Sequence, residues 1–263
     1  MRVEKVCFLL VCLVGLIFGV VNIGYSEDTP HQASLDELYQ KAIALKEVGD
    51  NNAALDIFKK IANDSSKNQI RHTDILVEQG IIMKDMNMPT WKLPAKEAAY
   101  KIKLLYKTNY NNPEYWLVYA KYAALVNKER HVYGAFQKAF FFKPDYVEGY
   151  IAKGTIYTYL AKNTDPSEST ASSAIGYEDV HVSKENSVSY NRGKVAKESY
   201  EIALKNSTLD NDRKAYIHYK IGELEMNILS DKEEAVKNWK KAVELSPDSM
   251  YGKKSAELLS KNQ

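Results

Sequence analysis

The sequence predicts an all-α fold of stacked helix pairs, and three observations carry that expectation. Apolar residues recur three and four apart along most of the chain, which places them on single helix faces. The pattern then repeats: Tyr150 follows Trp116, Gly154 follows Ala120 and Tyr157 follows Ala123, each 34 residues later. Only 12 glycines stand against 19 tyrosines in 263 residues, which suits packed helices better than a sheet with many tight turns.

The central unit sets the register. Trp116, Ala120 and Ala123 share one helix face, the polar turn Asn127-Lys128-Glu129-Arg130 interrupts, and Val132, Phe136 and Ala139 form a second stripe. Pro144 disfavours helix at the residue before it, so this second helix is expected to stop near Phe142. An N-terminal unit repeats the plan with Leu38, Ala42 and Leu45, a turn at Gly49 to Asn52, then Ala54, Phe58 and Ile61. A looser copy places Leu76, Gly80 and Met83 on a helix from about Arg71 to Met86. It then has Ala98, Ile102 and Leu105 on a helix expected to open at Pro94.

The fourth unit is split. Tyr150, Gly154 and Tyr157 belong to its first helix, but the matching Ala196, Tyr200 and Ala203 lie far downstream. The stretch from Lys162 to Arg192 is rich in Ser, Asp, Glu and Asn and poor in large apolar residues, so it reads as a flexible insertion at 162–192. The last unit carries Ile221-Gly222, then Ala235, Trp239, Ala242 and Pro247. It has one extra residue in its turn near Ser230-Asp231, where either side chain can cap the next helix. Leu258 and Leu259 suggest a final capping helix.

A small residue, an aromatic, an alanine and a proline in this order and at this period resemble the tetratricopeptide repeat (TPR). That resemblance implies a right-handed superhelical solenoid of about five TPR-like helix pairs plus a C-terminal capping helix, over residues 35–261. It also implies that the first helices line a concave groove for another protein or a peptide segment. By register, the groove would include Tyr39, Gln40, Glu78, Lys84, Lys121, Thr155, Tyr159, Tyr219, Lys220 and Glu223. Lys121, Tyr159 and Lys220 would form its centre, and the two lysines would suit an acidic or carboxylate-bearing segment. One TPR subfamily grips a terminal carboxylate with Lys and Asn on the first helix; Tyr39 and Ile43 stand at those positions here, so the resemblance does not extend to that use.

The N-terminus carries a targeting pattern. Arg2 and Lys5 precede an uncharged run from Val6 to Val21, and Gly24-Tyr25-Ser26 offers small residues for a signal peptidase. Residues 1–26 therefore read as a cleaved signal peptide or an uncleaved anchor, with a linker at 27–34. The expected location is exported, either periplasmic or secreted, or else held at the membrane by residues 6–23. Both cysteines, Cys7 and Cys12, lie in that segment, so cysteine usage does not fix the redox compartment.

Chemistry is sparse. The formal charge is +2 with no long basic run, which argues against nucleic acid as a partner. His31, His72, His131, His181 and His218 are scattered, and no nucleophile elbow or phosphate-binding glycine loop is present. Glu178, Asp179 and His181 read as part of a solvated acidic loop rather than a metal site. No cofactor, metal or catalytic residue is expected. The sequence reads as a non-enzymatic exported scaffold for protein–protein interaction in a cell-envelope or secretory-compartment assembly. The alternative is an accessory protein that binds a small molecule or glycan, with the insertion closing over the groove.

Overall fold

A computed structural model describes residues 34–65, 68–164 and 187–262. The targeting segment and the Glu178, Asp179 and His181 loop lie outside the described residues.

Five helix pairs follow one another. They are α1 (Leu35–Glu47) with α2 (Asn51–Asp64), α3 (Gln69–Asp85) with α4 (Lys92–Asn109), and α5 (Pro113–Leu125) with α6 (Glu129–Phe142). Then come α7 (Val147–Lys162) with α8 (Val188–Leu204), and α9 (Asn211–Leu224) with α10 (Lys232–Leu245). The helix α11 (Met250–Asn262) closes the end and packs on both α9 and α10. No strand occurs among the described residues. The architecture is a TPR-like all-α solenoid.

Local chemistry sets the helix starts. Asp50, Asn68, Asn112, Ser187, Asp210 and Asp231 each accept a hydrogen bond from a first-turn backbone N–H, which would otherwise lack a partner. Of the two candidates in the last turn, Asp231 is thus the cap, while Ser230 takes a left-handed conformation at φ 60°.

The repeat register is the packing register. Ala42, Ala54, Phe58, Ala98, Ala120, Val132, Phe136, Ala196, Tyr200, Ala235 and Trp239 are all buried. Glycine at the small position is a steric requirement in the last two pairs. A Cβ on Gly154 would stand 2.6 Å from the Tyr200 ring, and one on Gly222 would stand 2.5 Å from Trp239 Nε1. The aromatic ring of each second helix fills the space that the glycine of its first helix leaves open.

Three boundaries differ from the sequence reading. Helix α4 begins at Lys92, two residues before Pro94, because a 3-10 turn over Pro89–Trp91 leads into it. Pro94 still sits in the first turn, where no backbone N–H is needed. The extra residue of the last pair is taken up upstream of Ser230, by a π-helical turn over Glu225–Leu229. The insertion is also narrower than 162–192. Lys162 ends α7, and α8 already runs from Val188. Ser187 caps it, Ser189 donates to the Ala161 carbonyl at 2.8 Å, and Arg192 pairs with Glu129 at 2.6 Å. Residues 165–186 of the insertion lie outside the described residues.

Candidate functional site

Helix α3 is buried along most of its length; residues 73–78 and 80–82 are all buried. Two carboxylates, Asp74 and Glu78, nevertheless sit four apart on one face of it. Buried charge is costly unless it is matched, and here the matches come from two other first helices.

From α5, Lys121 Nζ reaches Asp74 Oδ1 at 2.8 Å and Glu78 Oε1 at 2.8 Å. From α1, Lys46 Nζ reaches Glu78 Oε2 at 2.7 Å and Glu47 Oε1 at 3.6 Å. Glu47 in turn pairs with Lys220 of α9. Tyr39 donates its hydroxyl to Asp74. The result is an alternating ladder, Asp74–Lys121–Glu78–Lys46–Glu47–Lys220, laid across α3, α5, α1 and α9. Its last rung joins residues 173 apart, and Tyr219 reinforces it by donating to the Glu47 carbonyl at 3.4 Å. The first and last repeats therefore touch, and the concave side is closed into a ring of side chains.

Mutual attraction outweighs desolvation along the ladder. Burial alone would raise the Glu78 pKa, but Lys121 and Lys46 bring it from 4.5 down to about 2. Burial would likewise raise Glu47, yet Lys220 and Lys46 lower it. The ammonium groups show the converse: burial pulls Lys121, Lys46 and Lys220 down, and their carboxylate partners carry all three above 10.5. Glu78, Glu47, Lys121, Lys46 and Lys220 are therefore all charged at neutral pH.

Over this floor opens a cavity of about 600 Å³. Residues of α1, α3, α5, α7, α9 and α11 line it, and none of the lining residues comes from a second helix. Its walls mix apolar side chains such as Ile43, Leu117 and Ile151 with the ladder and with Tyr216 and Tyr251. Thr155 meets the hydroxyls of Tyr200 at 3.1 Å and Tyr216 at 3.2 Å, which fixes α7 against α8 and α9. The Tyr159 hydroxyl is buried at the wall with no hydrogen-bond partner among the described residues. Burial also raises its pKa.

Of the residues that the register assigned to the groove, Tyr39, Gln40, Glu78, Lys121, Thr155 and Tyr159 line the cavity. Lys84, Tyr219, Lys220 and Glu223 do not. Lys84 instead donates to the Leu125 carbonyl at 2.7 Å and to Asn127 Oδ1 at 3.3 Å, holding the negative end of α5. Lys220 is buried beneath the cavity in its pair with Glu47. The attraction of an acidic segment by Lys121 and Lys220 finds no support in this arrangement, since both charges are already matched inside the fold. The register missed Lys46, Glu47 and Asp74. Asp74 and Glu78 were visible as an i, i+4 acidic pair flanking the apolar run Ile75-Leu76-Val77; the Glu47–Lys220 contact had no sequence signal.

No protein-family model matches the chain, and no curated protein matches it. Several solved structures are similar to it. TTC0263, a thermophilic TPR protein of Thermus thermophilus, is 13% identical, with 86% of this chain and 100% of that one covered and a TM-score of 0.47. YrrB, described as a TPR protein with an unusual peptide-binding site, is 14% identical over 85% of this chain and 92% of its own, with a TM-score of 0.40. MamA is 15% identical over 81% of this chain and 92% of its own, also with a TM-score of 0.40.

Proposed function

We propose that the chain is a non-enzymatic interaction scaffold that holds a short segment of a partner protein in its central cavity, within an exported, cell-envelope or secretory-compartment assembly. The observation that carries this reading is the cavity of about 600 Å³ whose walls come from the first helix of every repeat. Such walls are rigid, because the charge ladder ties four of those helices together. A preformed cleft of this kind saves the ordering cost of binding. Export rests on the Arg2/Lys5 flank, the apolar run and the Gly24/Ser26 pair.

The experiment is photo-crosslinking in the native host from Gln40 and Tyr159, compared with Lys60 on a second helix. Capture of one protein from the cavity positions alone supports the reading. Capture only from Lys60, or a mature chain starting at Met1 in a soluble cytoplasmic fraction, overturns the cavity or the export claim respectively.

One observation favours a small-molecule or glycan ligand as second reading. The cavity volume lies within the range of roughly 300–1,000 Å³ typical of small-ligand sites, and the unpartnered Tyr159 hydroxyl offers a polar anchor on its wall. Native mass spectrometry of the protein purified from its host separates the two. A co-purifying mass of a few hundred daltons favours the ligand, and a bound polypeptide favours the scaffold.

A further inference from the structure

Among the described residues, every large apolar side chain that stands exposed, save Met250, lies on α4, on Tyr110 at its C-terminal flank, or on α6. Along α4 the buried residues Ala95, Ala98 and Ile102 define the inner face. The opposite half of the helix presents Leu93 at 68%, Tyr100 at 64% and Leu104 at 59% exposure, while Tyr106, on the flank toward α5, packs edge-on against Trp116 at 6.2 Å. Tyr110 rests edge-on against Tyr106 at 5.6 Å and accepts a hydrogen bond from Lys138 of α6 at 2.8 Å. Phe141 of α6, 75% exposed, lies on the other side of the same Lys138 ammonium. Isolated exposed apolar residues are ordinary, but three large ones on the outer face of one helix, with a second exposed set at its end, are not.

The same surface is basic. Helix α4 carries Lys92, Lys96, Lys101, Lys103 and Lys107 against one carboxylate, Glu97, whereas the whole chain has a formal charge of only +2. None of these lysines has an ion-pair partner among the described residues; Glu97 itself lies 3.8 Å from His72. Helix α6 adds Arg130 and Lys138, and Lys143 follows it.

We infer that the outer face of α4 and α6 docks on an anionic lipid bilayer surface. Its composition matches the headgroup boundary: lysines at the level of the phosphates, with tyrosine and leucine side chains entering between them. The chemistry favours a bilayer over an acidic protein. The positive charges on α4 are all lysines, compact point charges that suit a diffuse anionic layer, where carboxylate recognition would favour the planar fork of arginine. The face is the outside of an 18-residue helix, about 27 Å long.

The test uses the full chain with Cys7 and Cys12 replaced by serine and one new cysteine carrying an environment-sensitive fluorophore, at Leu104→Cys or, as control, at Lys253→Cys on α11. The probe is vesicles of 70% phosphatidylcholine and 30% phosphatidylglycerol, against pure phosphatidylcholine. The label at 104 is expected to shift to the blue on the anionic vesicles alone, reversibly with salt, while the label at 253 stays in water. Lys96→Ala, Lys103→Ala and Lys107→Ala together should weaken that partition about a hundredfold, at roughly fivefold per lysine. Tyr100→Ser, which leaves every charge in place, should weaken it as well. Because the label reports α4 itself, retention through the N-terminal segment alone leaves it in water and overturns the inference. Equal shifts on both vesicle types, an unaffected triple variant, or a face that sequesters the label in a dimer or an acidic protein without lipid, overturn it too.

Discussion

Lys121 and Lys103 belong to neighbouring repeats, and the solenoid puts the two ammonium groups to opposite uses. Lys121, on a first helix, lies between Asp74 and Glu78 at 2.8 Å each. Lys103, on a second helix, is exposed with no ion-pair partner among the described residues. The difference lies in curvature. First helices converge on the concave side, so any long polar side chain there meets its counterparts from other repeats. Second helices diverge, and on α4 lysines such as Lys103 and Lys107 remain exposed. Lys121 on the inside is part of the fold, and Lys103 on the outside is free to meet a partner.

The comparison breaks most visibly at its inner member. Lys121→Ala leaves Asp74 and Glu78 facing each other in a buried site, and removing one partner of a buried pair costs about 3–5 kcal/mol. In a domain of this size that lowers the melting temperature by roughly 10 °C, at about 2–4 °C per kcal/mol. Urea unfolding at pH 7 measures it. A loss under 1 kcal/mol would mean that water already screens the ladder. Lys121 variants are accordingly poor probes of binding, since they perturb the fold first.

The same ladder gives the inner face a pH dependence that the outer face lacks. The Glu78 pKa is lowered from 4.5 to about 2 in the fold, so its contribution is fully present above 4.5 and disappears as the pH falls towards 2. A shift of this size corresponds to about 3 kcal/mol. Glu225 and Asp85, both raised by burial, pull weakly the other way, so the total acid limb is shallower. Glu78→Gln isolates the effect: stability measured from pH 6 to pH 2.5 should fall less steeply in the variant than in the parent. Parallel curves would remove Glu78 from the acid response.

Packing alone gives a smaller effect. Gly222→Ala would place a methyl group 2.5 Å from Nε1 of Trp239, which is itself 1% exposed and has no room to retreat. Overpacking of this kind costs about 1–3 kcal/mol. Gly134→Ala is the control, because nothing lies within 4 Å of a Cβ built there. Equal melting temperatures for the two would show that α9 and α10 separate easily.

The sequence contained the stacking code and little of the site. Ala54, Phe58, Ala235 and Trp239 could be placed in the core because each contact between paired helices spans few residues and repeats with a fixed period. The concave face was legible only as a face. Whether Lys220 would be presented or consumed depends on how far five repeats curve, a sum of small rotations that no single repeat encodes. Glu47 lies 173 residues from Lys220, so no local pattern joins them. Asp74 is the instructive miss: with Glu78 it brackets the apolar run Ile75-Leu76-Val77, which was a readable sign of buried charge. The α4 lysines were equally visible in composition, but their freedom from partners was not, because that is set by what the divergent second helices fail to reach.

The smallest effect is expected where the comparison is sharpest. Lys103→Ala and Lys107→Ala remove two charges from the outer face, where neither side chain has an ion-pair partner among the described residues and each is exposed. Surface substitutions away from caps, cores and networks fall within about 0.5 kcal/mol, and relieving repulsion between lysines one turn apart offsets part of any lost packing by the two stems. The double variant should therefore melt within about 2 °C of the parent, although it removes as much positive charge as Lys46→Ala and Lys121→Ala together. Thermal unfolding of both doubles at pH 7 in the same buffer makes the comparison directly. Similar losses in the two would mean that the outer lysines are held by contacts of their own, and the division between a structural inner face and a free outer one would fail.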